Sequence, residues 1–360
     1  MLETTKKLPP KANLRHLKIQ ARDLYREVQQ GSPEAVKRFK TSLPKHSLSS
    51  QDEIVNAKSI RQDALMVVAR EYGFKTWAGI KEYVELQEKQ RNRIDKMDVE
   101  YLQKVQYRDD SNLNARIEIH SRFTPPEYNM WQILWNYFDL KSGNKVLDAG
   151  CGNGRFWGSV WANIPPNVSL TLLDTSPGLL EIANNNLKDT SLNFDTVKGC
   201  LGALEFADAS FDVVSCQYVM HLVENVQSAV RDLHRLLKPG GYAVITCIEK
   251  RNMGRIGQVA DLVFPKLRME EYFVSLSVAD QVVEEAKLVF SDVVVEDYDC
   301  TMKVDDLDIL LGYARSSARL QTLDLPENFW EDFERLVQEE IVEKGYFAIR
   351  KHAKILKCFK

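Results

Sequence analysis

The residues best placed by type and spacing to do chemistry lie in one short run, Val146-Leu147-Asp148-Ala149-Gly150-Cys151-Gly152-Asn153-Gly154. Gly150 and Gly152 can adopt positive φ and carry no Cβ to hold a ligand off the backbone. A loop of this kind at the end of a parallel strand is where open α/β sheets take ligands. The spacing is GxGxG, not the GxGxxG of dinucleotide sites. Asp148, just ahead of the loop, would repel a pyrophosphate and suits a cationic ligand. Asp174 follows about twenty residues beyond the loop, where an acid accepts hydrogen bonds from ribose hydroxyls. Taken alone, the loop also fits a purely structural turn. The candidates for proton transfer are His221, His120 and Tyr128. The imidazole of His221 can take a proton at neutral pH, or it can simply close a pocket or cap a helix. Tyr128 follows Pro125-Pro126 in an expected loop, which favours a pocket position.

These residues need strands to hold them. Lys145–Ala149, Ser169–Asp174, Phe211–Cys216 and Tyr242–Ile248 are short apolar runs. Helical patterns over 178–187 and 226–237 separate them. Alternation of this kind argues a parallel, doubly wound α/β sheet. Val293–Tyr298 and Tyr346–Ile349 through Lys354–Leu356 read as the last two strands, with a helix near 326–343 between them. Trp131 and Trp135 share a helix face and either wall a pocket or pack against the sheet. Trp157 and Trp161 are expected in the core.

The runs VLDAGCGNGRF, LTLLDTS, ADASFDVVSCQYVMHL and LHRLLKPGGYAVIT occur in the order and spacing of class I S-adenosylmethionine-dependent methyltransferases. More narrowly, residues 116–360 resemble the methyltransferase type 11 group. The resemblance implies a Rossmann-like seven-stranded sheet, six strands parallel and one antiparallel. It implies S-adenosylmethionine as donor and S-adenosylhomocysteine as product. Gly150, Cys151, Gly152, Asn153 and Gly154 would line the methionine end, with Asp148 facing the amino group. Asp174 would bind the ribose hydroxyls, and Thr175 and Ser176 would flank the adenine. Leu201 would offer its backbone N–H to the ring, and Gln217 would sit on the sulfonium side. Cys200 stands where the family often has an acid. His221 holds a position that commonly faces the substrate, and the segment around His120 and Tyr128 corresponds to a lid. Residues 250–290 correspond to a variable substrate cap.

The front of the chain has a different texture. Leu14, Leu17, Ala21, Leu24, Tyr25 and Val28 recur at helical spacing, and Gly31 then Ser32-Pro33-Glu34 mark a stop and a restart. Two further helices are expected through Ala64–Tyr72 and from Thr76 through Val84, with a polar loop over 42–50. This all-α bundle, 1–90, resembles a bacterial module found before ankyrin-like repeats or enzyme domains. A charged connecting stretch, 91–115, is expected as a solvated helix, with a loop near 108–114.

The whole chain has 360 residues, 44% hydrophobic and 28% charged, with net charge -3 and pI near 6.1. That composition is globular and gives no overall polycation to grip nucleic acid. The charge is uneven: residues 1–96 hold 20 basic and 12 acidic residues, so +8, leaving -11 for the rest. The six cysteines are scattered without a CxxC, so neither metal nor disulfides are expected. No secretory leader or membrane span is read, which makes the cytoplasm the expected compartment. The leading expectation is a methyltransferase acting on nitrogen or oxygen of a small molecule in natural-product biosynthesis. The alternatives are a peptide or protein methyltransferase using the bundle for recognition, an RNA methyltransferase, and a non-enzymatic cofactor-binding regulator. The bundle is also a candidate homo-oligomer contact.

Overall fold

The computed structural model describes Lys6, Leu8 and residues 13–57, 60–91 and 99–360. Most of the leading MLETTKKLPPKA run, residues 58–59, the connecting residues 92–98 and the side chains of 86–91 and 99 lie outside the described residues. The chain divides into two compact units, 1–92 and 93–360.

The first unit is all-α: α1 Leu14–Gln29, α2 Pro33–Ser42, α3 Gln51–Val55, α4 Ile60–Glu71 and α5 Trp77–Arg91. Leu17, Ala21, Leu24 and Val28 are the buried stripe of α1, and Ser32 caps α2 ahead of Pro33. A bidentate Arg38–Glu71 pair, at 2.7 and 2.9 Å, and a buried His46–Asp63 contact of 3.0 Å cross this core. The expected loop over 42–50 holds a single 3₁₀ turn, Pro44–His46, and the short α3 that follows it was not anticipated. Its signal was present in Ser50-Gln51-Asp52-Glu53, a capping box in which Ser50 and Glu53 bond each other's backbone N–H. Arg15, Lys18, Arg22 and Arg26 stand on the exposed face of α1.

The second unit begins with α6 Val99–Tyr101, which runs into a wider turn over Leu102–Gln106, then α7 Ser111–Phe123 and α8 Met130–Trp135. The sheet elements follow as β1 Lys145–Ala149, α9 Arg155–Val160, β2 Ser169–Asp174, α10 Pro177–Leu187, β3 Asn193–Lys198, β4 Phe211–Gln217, α11 Val226–Leu236 and β5 Leu237–Ile248. The remainder is α12 Gly254–Val263, α13 Met269–Leu276, α14 Ala279–Val289, β6 Asp292–Val304, α15 Leu307–Arg315, α16 Ala318–Thr322, α17 Phe329–Lys344 and β7 Phe347–Phe359.

The seven strands lie in the order β3-β2-β1-β4-β5-β7-β6. Strands β1 to β5 pair in parallel, and β7 runs antiparallel to both β5 and β6. Strand β6 therefore shares the sense of the first five, and one strand is reversed. The order turns between β1 and β4, which places a ligand crevice above their carboxyl ends. Strand β3 was not legible in advance: at the sheet edge its NFDTVK sequence is largely polar, without the apolar run of a central strand.

The two faces of the sheet carry separate cores. Leu147, Val214, Ala243 and Ile245 meet α11 and α14, while Val146, Leu172, Val213 and Val244 meet α8 and α9 with Phe138 and Trp157. A third core forms on an overhang. Strand β5 pairs with β7 only from Ala353 onward, whereas β6 follows β7 back to Phe347. The six residues Phe347–His352 thus project with β6 as a two-stranded ribbon beyond the carboxyl end of β5. Helices α12, α13 and α15 to α17 cover that ribbon around Met302, Ile349 and Phe347. Of the stretch 250–290, then, α12 and α13 join the cover, while α14 lies under the sheet beside α11.

The segment ahead of β1 departs most from expectation. Tyr101, Leu102, Val105 and Gln106 are buried, and Ser111–Asn114 begin a helix instead of closing a loop. Gln106 donates to the Ser316 carbonyl at 3.0 Å. The local charge pattern suggested solvation, but tertiary packing against the second unit decides it. Trp161 is 43% exposed rather than in the core. Trp131 and Trp135 pack on Phe156 and Phe138.

Candidate active site

The glycine loop is tied down at both ends by its backbone. The N–H groups of Gly150 and Cys151 both donate to the Leu173 carbonyl, at 2.7 and 2.9 Å. Gly150 has φ +92°, and a Cβ there would overlap Val219. Gly152 has φ +57°, and its N–H donates to Asp174 Oδ2 at 3.0 Å. Asp174 Oδ1 accepts from the Ser176 N–H at 2.9 Å. Asp174 is thus the buckle between the loop and the end of β2. An ionised carboxylate has about four acceptor sites, so it retains capacity for ribose hydroxyls. Burial raises its pKa against the pull of these N–H groups.

Asp148 is buried one residue below the loop. Its Oδ2 accepts from the Trp157 indole at 2.8 Å, and its Oδ1 is buried without a partner. Burial pushes the carboxyl up to about 6 against hydrogen bonds from Trp157 and the Ser215 hydroxyl. An orphaned carboxylate oxygen here fits a cationic group such as the ammonium of S-adenosylmethionine, since buried charge needs pairing. Trp157 was expected to be core alone; it is core, and it also orients this acid.

A lid of chain covers the loop. Ser176 caps α10 and donates its hydroxyl to the Tyr107 carbonyl at 2.6 Å. Gly178 lies so close to the Arg108 carbonyl that any Cβ would overlap it. Leu113 sits over Gly152, and Asn153 Nδ2 reaches Asn114 Oδ1 at 3.4 Å. Cys151 packs beside Asp148 and Asp174, with its thiol pushed well up, chiefly by burial. Leu201 is buried, and Cys200 is exposed, its thiol turned to the Leu201 carbonyl at 3.7 Å. Thr175 is half-buried between Asp174 and Ser176. The Gln217 amide is engaged by Ser215, the Val244 carbonyl and Thr246, and so faces β5.

From the loop, α7 runs on toward the ribbon. Leu113, Arg116 and His120 recur on one side of this helix, spanning roughly 10 Å at 1.5 Å per residue. The Arg116 guanidinium donates to Ser316 Oγ, the Ser316 carbonyl and the Tyr107 hydroxyl at 3.1, 2.8 and 3.0 Å. The His120 ring meets Tyr313 edge-on at 6.0 Å. Burial, reinforced by the charges of Lys351 and Arg116, holds His120 well below the usual histidine value. His221 is held down to about 4 by burial and by Arg116. Both rings leave a buried Nδ1 without a hydrogen-bond partner, as does the Tyr218 hydroxyl. Tyr128 lies apart from the histidines in its described contacts: it closes a short 3₁₀ turn, is 36% exposed and stacks edge-on against Tyr298.

Sequence reasoning missed Arg116, Tyr107 and Lys351. Lys351 had a signal. In the β7 run FAIRKHAKI the inward residues alternate Phe347, Ile349, Lys351, Ala353, Ile355, so a lysine occupies a core register. Its Nζ lies 5.1 Å from the Tyr298 ring centre. Among the described residues no metal-ligand cluster occurs and no helix is long and apolar enough to cross a membrane.

Residues 147–245 match the family described as "Methyltransferase domain". The chain is 34% identical over 122 residues to a demethylmenaquinone methyltransferase of Lactococcus lactis subsp. lactis, covering 32% of this chain and 48% of that protein. It is 28% identical over 145 residues to a ubiquinone/menaquinone biosynthesis C-methyltransferase of Shewanella sediminis, covering 37% and 58%. The chain thus spans about half the length of the curated relatives it matches. Among solved structures, a phosphoethanolamine N-methyltransferase 2 of Haemonchus contortus aligns at 18% identity and TM-score 0.47, over 72% of this chain and 59% of that one. The glycine loop, the Asp174 buckle and the strands β1 to β5 thus lie largely in or beside the segment 147–245 that matches a methyltransferase domain.

Proposed function

We propose that this protein transfers a methyl group from S-adenosylmethionine to a small-molecule acceptor. The observation that carries this reading is the unpartnered Asp148 Oδ1 beneath a glycine loop that Asp174 fastens. Asp148 would hold the donor's cationic end, Asp174 its ribose, and the loop from Gly150 to Gly154 the chain between. Thr175, Cys200 and Leu201 would border the adenine. When bound, the donor supplies an activated methyl: the sulfur–methyl bond breaks as the acceptor–methyl bond forms, and the bonding pair stays on sulfur.

The protein's part is then positioning and exclusion of water. Tyr107 to Asn114 close over the donor loop, and α7 sets Arg116 and His120 further along the same crevice. His221 and His120 are neutral at physiological pH, so each offers a hydrogen bond to orient the acceptor and is available to accept a proton released from it. The acceptor atom is nitrogen or oxygen in the reading from sequence, on a molecule of specialised metabolism. One relative's name, a C-methyltransferase, favours a second reading, a carbon acceptor.

Calorimetry with S-adenosylmethionine tests the donor site. Binding is expected in the native chain, and Asp174→Ala should weaken it by at least about tenfold, since hydrogen bonds to a charged group are worth roughly 1.5–3 kcal/mol each. No binding, or unchanged binding in the variant, would remove the assignment.

A further inference from the structure

The second unit keeps cations in its interior that the donor site does not use. Lys351 is only 5% exposed, at an inward position of the ribbon, where a core strand would ordinarily carry an aliphatic residue. Its ammonium lies over the face of Tyr298. Arg116 bonds only neutral groups, Ser316 and the Tyr107 hydroxyl. Neither forms an ion pair with a carboxylate among the described residues.

The nearby acids that form ion pairs find other partners, and Glu127, exposed in its 3₁₀ turn, acts on Cys300 rather than on Lys351. Glu118 on α7 is exposed and reaches Arg122. On β6, Asp299 pairs with Arg350, and Asp297 pairs with Lys354. Glu249, beyond β5, also takes Lys354, and Asp306, capping α15, takes Arg122. On α13, Glu271 holds Arg268. What faces the cations instead is aromatic and neutral: Tyr107, Tyr272 and Tyr313 beside Arg116, with Tyr298 and Cys300 beside Lys351. His120 stands one turn beyond Arg116 on α7, which packs against β6 where Cys300 pairs with Lys351, so the charges of both cations reach it. Burial holds the Lys351 amine down to about 8.

Holding a buried lysine and a half-buried arginine without a counter-ion is costly unless something supplies one. The Nδ1 atoms of His120 and His221 and the Tyr218 hydroxyl are buried polar atoms without a protein partner, which a polar ligand can meet. We propose that the acceptor is an aromatic molecule bearing an oxyanion, carboxylate or phenolate, with its charge held between Arg116 and Lys351 and its ring walled by the tyrosines. The inference rests on the methyl-transfer reading and adds the class of acceptor. The location fits it: α7 carries Leu113 at the donor loop and Arg116 and His120 one to two turns further on, so both ligands share one crevice.

The test uses the full-length protein saturated with S-adenosylhomocysteine. Binding of benzoate, 4-nitrophenolate, benzamide and benzylamine is followed by ligand-observed NMR. At least one of the two anions should bind about tenfold or more tighter than benzamide, and benzylamine weakest, as expected for charge-assisted hydrogen bonds. Preference for benzoate alone or for 4-nitrophenolate alone identifies which oxyanion is taken. Lys351→Met and Arg116→Gln should each reduce that preference by about tenfold and leave S-adenosylhomocysteine binding intact. Lys351→Met removes a buried charge, so its melting temperature should be no lower than that of the native chain; it keeps the test usable if the arginine variant fails to fold. Equal binding of charged and neutral rings, no binding of either anion, or an unchanged preference in Lys351→Met overturns the anion assignment alone. Failure of the native protein to hold S-adenosylhomocysteine overturns the methyl-transfer reading, and the acceptor assignment with it.

Discussion

At the scale of single residues, Asp148 shows what the proposed donor site costs the fold. Its folded pKa of about 6 lies above the ordinary 3.8 because burial disfavours the ionised form. The unfolded chain therefore gives up this proton more readily. The penalty is absent below 3.8, grows as pH rises through about 6, and is fully present at neutral pH, on the order of 3 kcal/mol for a shift of this size. Asp148→Asn should raise the melting temperature of the ligand-free protein at pH 7 and abolish donor binding. In the native chain, donor affinity should fall by up to about tenfold for each pH unit below 6, because a protonated carboxyl no longer attracts a cation. Calorimetry between pH 5 and 7.5 reads both effects; a flat profile would detach Asp148 from the donor.

At the scale of elements, the lid is held by a few close contacts rather than by broad apolar burial. Ser176 bonds the Tyr107 carbonyl, and Gly178 admits the Arg108 carbonyl where no side chain fits. Gly178→Ala should push the 107–110 turn off α10. Loss of that hydrogen bond is worth about 1 kcal/mol. Donor affinity should thus drop roughly five- to tenfold, and cleavage by trypsin at Arg108 should accelerate. Unchanged affinity with a protected Arg108 would show that the lid does not depend on this approach. The extended β6–β7 ribbon plays the complementary part: it carries Lys351 and Cys300 past the sheet, and its helical cover supplies Tyr272 and Tyr313.

At the scale of the molecule, the proposed donor site and acceptor crevice draw on residues 106 to 351, all within the second unit. The first unit has its own core from Leu17 to Val84, its own part-buried Arg38–Glu71 ion pair and its own buried His46–Asp63 hydrogen bond. A chain beginning at Arg93 should therefore bind S-adenosylmethionine with an affinity within about twofold of the full protein, by calorimetry at equal pH and salt, as expected for sites without shared partners. A larger loss would assign the bundle a share in the site.

What the sequence determined by itself was local. The glycine loop, Asp174 and the four apolar strand runs are legible because period and turn chemistry act over a few residues. They located β1, β2, β4 and β5, the acids Asp148 and Asp174, and the helical front unit. Tertiary structure decided what depends on distant partners. The polar edge strand β3 is a strand because β2 pairs with it along its length. Residues 99–114 read as solvated from their charges, yet Gln106 is buried because Ser316, far along the chain, offers it an acceptor. The acceptor crevice is the clearest case. Arg116, His120, His221, Tyr313 and Lys351 come from separate elements, and no spacing in the chain encodes their meeting. Their charges gain meaning only where folding removes the water that would otherwise have screened them.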